Sequence, residues 1–192
     1  AERITNKEER HSAFLCVLKK MLSVDSVNRI ESFDISNISG TDNVASMVVF
    51  ENGKPKKSDY KRFKVDLDGF QDDYGSMRQV LHRRFTNYLN KEKGFDAKPD
   101  LLLIDGGVSH AQIAFKVLRE LKLDIPVFGM VKDDRHRTRA LVTPDGLEIR
   151  IDANQSVFSF IGNIQEETHR FAISHHRQLR SKRLSYSELD TI

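Results

Sequence analysis

Two aspartates stand where an apolar chain has little reason to carry charge. Asp34 interrupts Ile30-Glu31-Ser32-Phe33-Asp34-Ile35, and Asp105 closes Leu101-Leu102-Leu103-Ile104 just before Gly106-Gly107. Side chains alternate along a strand, so with Phe33 and Ile35 on one face Asp34 takes the other. A bare charge there is costly and needs a partner. Open α/β sheets place their ligands at the ends of parallel strands. If the two strands are neighbours, two carboxylates converge at one sheet edge, an oxygen-donor set suited to Mg²⁺ or Mn²⁺. Taken singly, each has an equally good plain reading: Asp105 as a cap on the next helix, Asp34 as a half-exposed residue. The pair, one on each of two core strands, points to metal binding.

Charge elsewhere is sorted by sign. Carboxylates gather at Asp66, Asp68, Asp72 and Asp73. Cations gather at Arg135, Arg137 and Arg139, and again at Arg170, Arg177, Arg180, Lys182 and Arg183, among His169, His175 and His176. A basic strip beside an acidic cluster suits a protein that grips phosphates and holds divalent ions. The segment 132–139 follows a core strand and either holds a DNA backbone or is a solvated charged turn. Gly106-Gly107 is not a phosphate-binding Walker loop, because no Gly-Lys-Ser/Thr follows. It reads as close backbone packing where a strand turns into a helix.

The elements that must position these groups follow from periodicity. Residues 7–22 have helical spacing, and strands are expected at 29–36, 45–50 and 59–65, with a hairpin at Asn52-Gly53. Asp72 or Asp73 caps a helix to about residue 90. The apolar run 101–104 is a strand buried on both faces, 109–121 a helix and 125–131 another core strand. Residues 141–151 form a small hairpin excursion, and a last helix runs to about 183. The expected fold is α/β, with a mixed five-stranded sheet and helices on both faces. Residues 1–28 read as a helix and lead-in, and 29–192 as a single domain.

Composition narrows the class. The chain has 192 residues, 39% hydrophobic and 31% charged, and a formal net charge of +3, which by itself says little about nucleic acid. There is no run of the roughly 20 apolar residues that a membrane helix needs, and no signal-peptide pattern. The single cysteine, Cys16, excludes an internal disulfide or a cysteine zinc cluster and reads as a buried core thiol. This usage fits a reducing cytoplasm. The chain opens on Ala1 rather than Met, so a fragment of something larger is expected.

Five stretches, in order, resemble one family. They are IESFDISNISGTDNVASMVVFENGKPKKSDYKRF, DDYGSMRQVLHRRF, PDLLLIDGG, IPVFGMVKDD and EETHRFAISHHRQLRSKR, covering residues 30–183. They are similar to the nuclease domain of the C-subunit (UvrC) family of bacterial UvrABC excinucleases. The resemblance implies a ribonuclease H-like fold that cuts damaged double-stranded DNA on the 5′ side of a lesion, in nucleotide excision repair. It implies work with UvrB, and indirectly UvrA. It places the nuclease centre at Asp34, Asp105 and His169, as metal ligands with His169 also able to move a proton, and ties Asp73 to the same cut. It puts the 3′ cut and a helix-hairpin-helix DNA module in parts of the family's full-length protein beyond this stretch. After the two glycines the family carries Lys-Gly-Gln, whereas this chain has Val108-Ser109-His110, which leaves the role of that loop open.

The mechanism so implied is metal-assisted phosphodiester hydrolysis, in which bound Mg²⁺ or Mn²⁺ lowers the pKa of the attacking water and stabilises the leaving 3′ oxygen. The arginines at 135, 137, 139, 170, 177, 180 and 183 would hold the strand through phosphates without reading sequence. Two rivals remain at this stage: a non-catalytic domain of the same fold that binds DNA or a partner, and a different ribonuclease H-like enzyme such as an RNA-strand nuclease or resolvase.

Overall fold

The computed structural model describes residues 2–38, 42–66 and 72–189; Asp68 and the side chains of His175, His176 and Arg183 lie outside the described residues. Helix α1 (Glu2–Leu22) leads into strands β1 (Arg29–Ile38), β2 (Asp42–Glu51), β3 (Lys54–Pro55) and β4 (Lys61–Val65). Then come α2 (Asp73–Leu89), β5 (Leu101–Asp105), α3 (Gly107–Glu120), β6 (Val127–Lys132), β7 (Thr138–Val142), β8 (Glu148–Arg150) and α4 (Gln155–Leu189). The strands join in the order β3-β2-β1-β5-β6-β7-β8, with β4 also pairing β2. As expected, β1, β2 and β4 form an antiparallel meander, and β5 and β6 add in parallel.

The mixed sheet has eight strands among the described residues, not the expected five. The difference lies chiefly in β7 and β8, which continue the sheet antiparallel beyond β6 instead of forming a separate excursion. The hairpin itself is expected at 141–151; what its charged residues Glu148 and Arg150, with Arg139 just before, conceal is that it joins the sheet. Such residues are at home on a sheet edge, where charge discourages pairing with other chains. Short β3 forms directly after the turn at Asn52-Gly53, where both residues take the positive φ that this hairpin requires (51° and 76°).

Alternation divides the sheet into two buried faces. Phe33, Leu102 and Ile104 pack with Met77, Val80, Leu81 and Phe85 of α2 and with Ala114, Val117 and Leu118 of α3. Ile30, Leu101, Leu103, Phe128 and Met130 pack with Leu18 and Leu22 of α1 and with Val157, Phe160, Ile161 and Ile164 of α4. Strand β5 is buried on both sides, as its unbroken apolar run implied. Cys16 corrects an expectation: it is exposed. The inward stripe of α1 runs through Leu18 and Leu22, and a residue two positions before Leu18 lies some 200° round the helix, on the far side.

Candidate active site

Strand register builds the centre. In β1 and β5, Phe33 lies beside Ile104 in parallel pairing, so one further residue sets Asp34 beside Asp105. Asp34 continues the β1 series of Ile30 and Ser32, and Asp105 that of Leu101 and Leu103. Both carboxylates therefore face the α4 side. Burial pushes the Asp34 carboxyl up to about 7 from its ordinary 3.8, and the negative charges of Asp105 and Asp73 add to the rise. Lys132, at the end of β6, opposes it. Its Nζ lies 2.8 Å from Asp105 Oδ1 and 3.1 Å from Oδ2.

Asp72 and Asp73 divide their work. Asp72 is the N-cap of α2, its side chain accepting from the Tyr74 N–H at 3.0 Å. That leaves Asp73, the first helical residue, to contribute its charge to the field at Asp34. The ring of Tyr74 stacks on His110 of α3, with centroids 4.7 Å apart. His110 in turn donates to the Gly106 carbonyl at 2.9 Å, which ties it to the helix start.

The paired glycines act as close packing. Gly106 (φ 138°) and Gly107 (φ 73°) turn the chain from β5 into α3, and a Cβ on Gly129 of β6 would fall 2.3 Å from the Gly107 carbonyl oxygen. Backbone cannot swing aside as a flexible side chain can. Gly129→Ala is therefore expected to cost about 1–3 kcal/mol in urea denaturation by overpacking. It should also displace the turn beside Asp105.

His169 is exposed on α4. Its neighbours anchor the helix above the site. Thr168 donates to Ser32 at 3.0 Å, and Gln165, one turn earlier, accepts from the Thr138 N–H at 2.8 Å and donates to the His136 carbonyl at 2.6 Å. Glu167 accepts from Tyr60 at 3.0 Å, and Arg62 donates to Ser174 and to the Phe171 carbonyl. These bonds seat the helix on β7 at Gln165, on β1 at Thr168 and on β4 at Ser174, so His169 directly follows the residue that meets β1. Among the described residues, no hydrogen bond or ion pair joins His169 to either aspartate, and no three His, Cys, Asp or Glu side chains form a ready metal-binding group. Asp34 and Asp105 come together, with Asp73 in electrostatic range of Asp34; His169 makes no contact with them.

Several residues around the centre went unread in the sequence. Lys132 was one cation within a charged segment, with no sign that it pairs with Asp105. Ser46 lies directly across from Asp34 on β2, and Arg62 across from Ser46 on β4. Both keep a buried side-chain atom, Ser46 Oγ and Arg62 Nε, without a hydrogen-bond partner among the described residues. Cross-strand partners of this kind carry no local sequence signal.

Of the cations expected to hold phosphates, Arg135, Arg177 and Arg180 are exposed. Arg137 pairs with Asp133 at 3.1 Å, Arg139 with Glu148 at 3.2 Å and Arg170 with Glu167 at 2.7 Å. Exposed pairs of this sort are worth about 0–1 kcal/mol, so a phosphate can displace them.

The model of the UvrC RNase H endonuclease domain family matches residues 19–173. The UvrABC system protein C of Clostridium novyi (strain NT) is 46% identical over 198 residues, covering 96% of this chain and 32% of that protein. That of Thermoanaerobacter pseudethanolicus is 48% identical over 184 residues, covering 90% and 30%. The chain thus spans about a third of the length of these relatives. Its fold is similar to that of the crystal structure of human ENDOV, with a TM-score of 0.51 at 13% identity over 90% of this chain and 99% of that one. Among the described residues, no helix is long and apolar enough to cross a membrane. On the family match and these identities, the chain belongs to the UvrC RNase H endonuclease domain family.

Proposed function

We propose that this endonuclease domain is metal-dependent and makes the incision 5′ to a lesion in damaged double-stranded DNA, acting within a longer protein alongside UvrB and, indirectly, UvrA in the bacterial cytoplasm. The observation that carries this reading is the placement of Asp34 and Asp105 at one level on adjacent parallel strands, with Asp34 driven up to about 7 by burial and by its acidic neighbours. Carboxylates crowded in this way call for a cation, and an all-oxygen pair suits a hard ion, Mg²⁺ or Mn²⁺. Asp34 and Asp105 would hold it, with His169 completing the set from α4. When bound, such an ion activates water and stabilises a leaving 3′ oxygen.

The chain's own groups do the rest. His169, on a helix anchored from both sides, can accept a proton at a ring nitrogen. Asp73 adds negative charge at the mouth of the site, which strengthens the hold on cations. Arg135, Arg137 and Arg139 after β6, and Arg170, Arg177 and Arg180 along α4, would bind phosphates, and Arg183 further along the sequence would add to them. These contacts place the strand without reading its bases, as suits an enzyme directed by damage.

The test uses the full-length protein with its A and B partners on a lesion-bearing duplex. Asp105→Ala is expected to lose the 5′ cut and keep the 3′ cut, which serves as an internal control for assembly, while urea denaturation of the variant chain checks that this domain still folds. A variant that still cuts on the 5′ side would overturn the assignment.

A further inference from the structure

The acidic mouth of the site carries an aromatic pair that the mechanism above does not use. Helices α2 and α3 both begin at the sheet edge where Asp34 and Asp105 lie: Asp73 acts on Asp34 through its charge, and α3 follows Asp105 through Gly106. Across that opening Tyr74 of α2 lies flat on His110 of α3, with ring centroids 4.7 Å apart and planes 24° apart. Both partners are tied down. His110 Nδ1 donates to the Gly106 carbonyl at 2.9 Å, and the Tyr74 N–H donates to the Asp72 carboxylate at 3.0 Å. Yet Tyr74 is 50% exposed. With one face of its ring covered by His110, that exposure belongs to the other face and the edge.

Charge decides what such a surface takes. Asp72 and Asp73 stand at its foot, both exposed. They repel phosphates and leave a planar, neutral ring as the group that a DNA strand can approach there. Phosphates are drawn instead to the cations of α4, on the sheet face to which Asp34 and Asp105 point. A nucleotide lying over the site therefore turns its phosphate toward α4 and its base toward the opening between α2 and α3. We propose that Tyr74, backed by His110, is a positioning residue on which a base flanking the scissile phosphate stacks. Every base has a π-face, so this hold adds no sequence preference, in keeping with an enzyme directed by damage. The base must leave its stack to reach the ring, which costs least where the duplex is already damaged. This inference rests on the nuclease reading above.

The experiment measures incision by the full-length protein in the reconstituted system, for Tyr74→Ala, Tyr74→Phe and Tyr74→Trp. The lesion-bearing duplex carries either its normal bases or an abasic sugar at each nucleotide flanking the 5′ scissile phosphate in turn. Tyr74 lies outside the core, so these changes leave the packing of α2 on the sheet untouched. On intact DNA, Tyr74→Ala should make the 5′ cut about tenfold more slowly, the loss of one stacked base, while the 3′ cut keeps its rate. Tyr74→Phe and Tyr74→Trp, which keep a flat ring, should cut like the native protein. At one abasic position the native protein should lose its advantage over Tyr74→Ala, because there is no base left to stack. A purely structural role for Tyr74 would keep that advantage on every substrate, and such a result overturns the proposal. So does an undiminished 5′ cut in Tyr74→Ala, or a Tyr74→Phe as slow as Tyr74→Ala. If Asp105→Ala still cuts on the 5′ side, the nuclease reading itself fails; if it does not, while Tyr74→Ala cuts at full rate, the stacking surface alone fails.

Discussion

Asp34→Asn is expected to make the metal-free chain more stable than the native one at pH 8, and to abolish the 5′ cut. The folded protein holds the Asp34 carboxyl at about 7, against an ordinary 3.8, through burial and through the charges of Asp105 and Asp73. A carboxyl raised on folding favours the fold while it stays protonated. Below about pH 4 it is neutral in both states and costs nothing. As pH rises from 4 to 7 the unfolded chain ionises freely while the folded one resists, and stability falls. Above pH 7 the full penalty stands at about 2–4 kcal/mol, since each tenfold change in proton affinity is worth roughly 1.4 kcal/mol. Asn removes the titration, so its advantage should be absent at pH 4, grow to pH 7 and then level off. Mn²⁺ reverses the ranking: it selects the ionised carboxylate, so it should stabilise the native chain at pH 8, where Asp34 is already largely ionised, and stabilise Asp34→Asn little. Thermal denaturation at pH 4, 6 and 8, with and without Mn²⁺, reads all of this. An Asn variant no more stable than the native chain at pH 8 would show that Asp34 carries no such strain.

How much of this was legible in the sequence depended on whether the signal was local. Asp34 and Asp105 were found because each breaks an apolar run, and strand alternation then told which way Asp34 points. Their pairing needed only the parallel β1–β5 contact that the order of elements suggests. Asp72 and Asp73 could not be told apart until the helix cap was seen to fall on Asp72. Lys132, Ser46 and Arg62 were invisible as site neighbours, because what places them is register between strands that are remote in sequence. The same limit concealed that the hairpin expected at 141–151 joins the sheet as β7 and β8: Thr138 is fully buried beneath Gln165 of α4, yet it follows a run of charged residues that reads as solvent-exposed. Cys16 was misread because an apolar run on a helix was taken as inward on every side, whereas α1 buries a stripe. His169 and Asp73 came only from the family resemblance, and nothing in their local sequence sets them apart.

Arg84→Ala is expected to destabilise the fold by about 3–5 kcal/mol in urea denaturation, while leaving Mn²⁺ affinity nearly unchanged. Arg84 is buried in α2 and forks onto Glu31, itself fully buried, with Nε at 3.0 Å and NH2 at 2.8 Å from the two carboxylate oxygens. Its remaining donors bond the carbonyls of Phe95 and Ala97, so the same guanidinium pins the connection from α2 to β5. Removing it leaves Glu31 with Arg29 alone, at 3.0 Å, and strands two partly buried carbonyls. Neutralising both partners, as Glu31→Leu with Arg84→Met, removes the uncompensated charge and should recover part of the loss. Recovery stays incomplete because the Phe95 and Ala97 carbonyls remain without their donor. Glu31 lies only three residues before Asp34 on β1, yet the two point to opposite faces, one to α2 and the other to α4. A folded Arg84→Ala chain that had lost Mn²⁺ affinity would contradict that division. A chain weakened in stability but native in affinity would support it, with the core of one face bearing the load and the chemistry confined to the other.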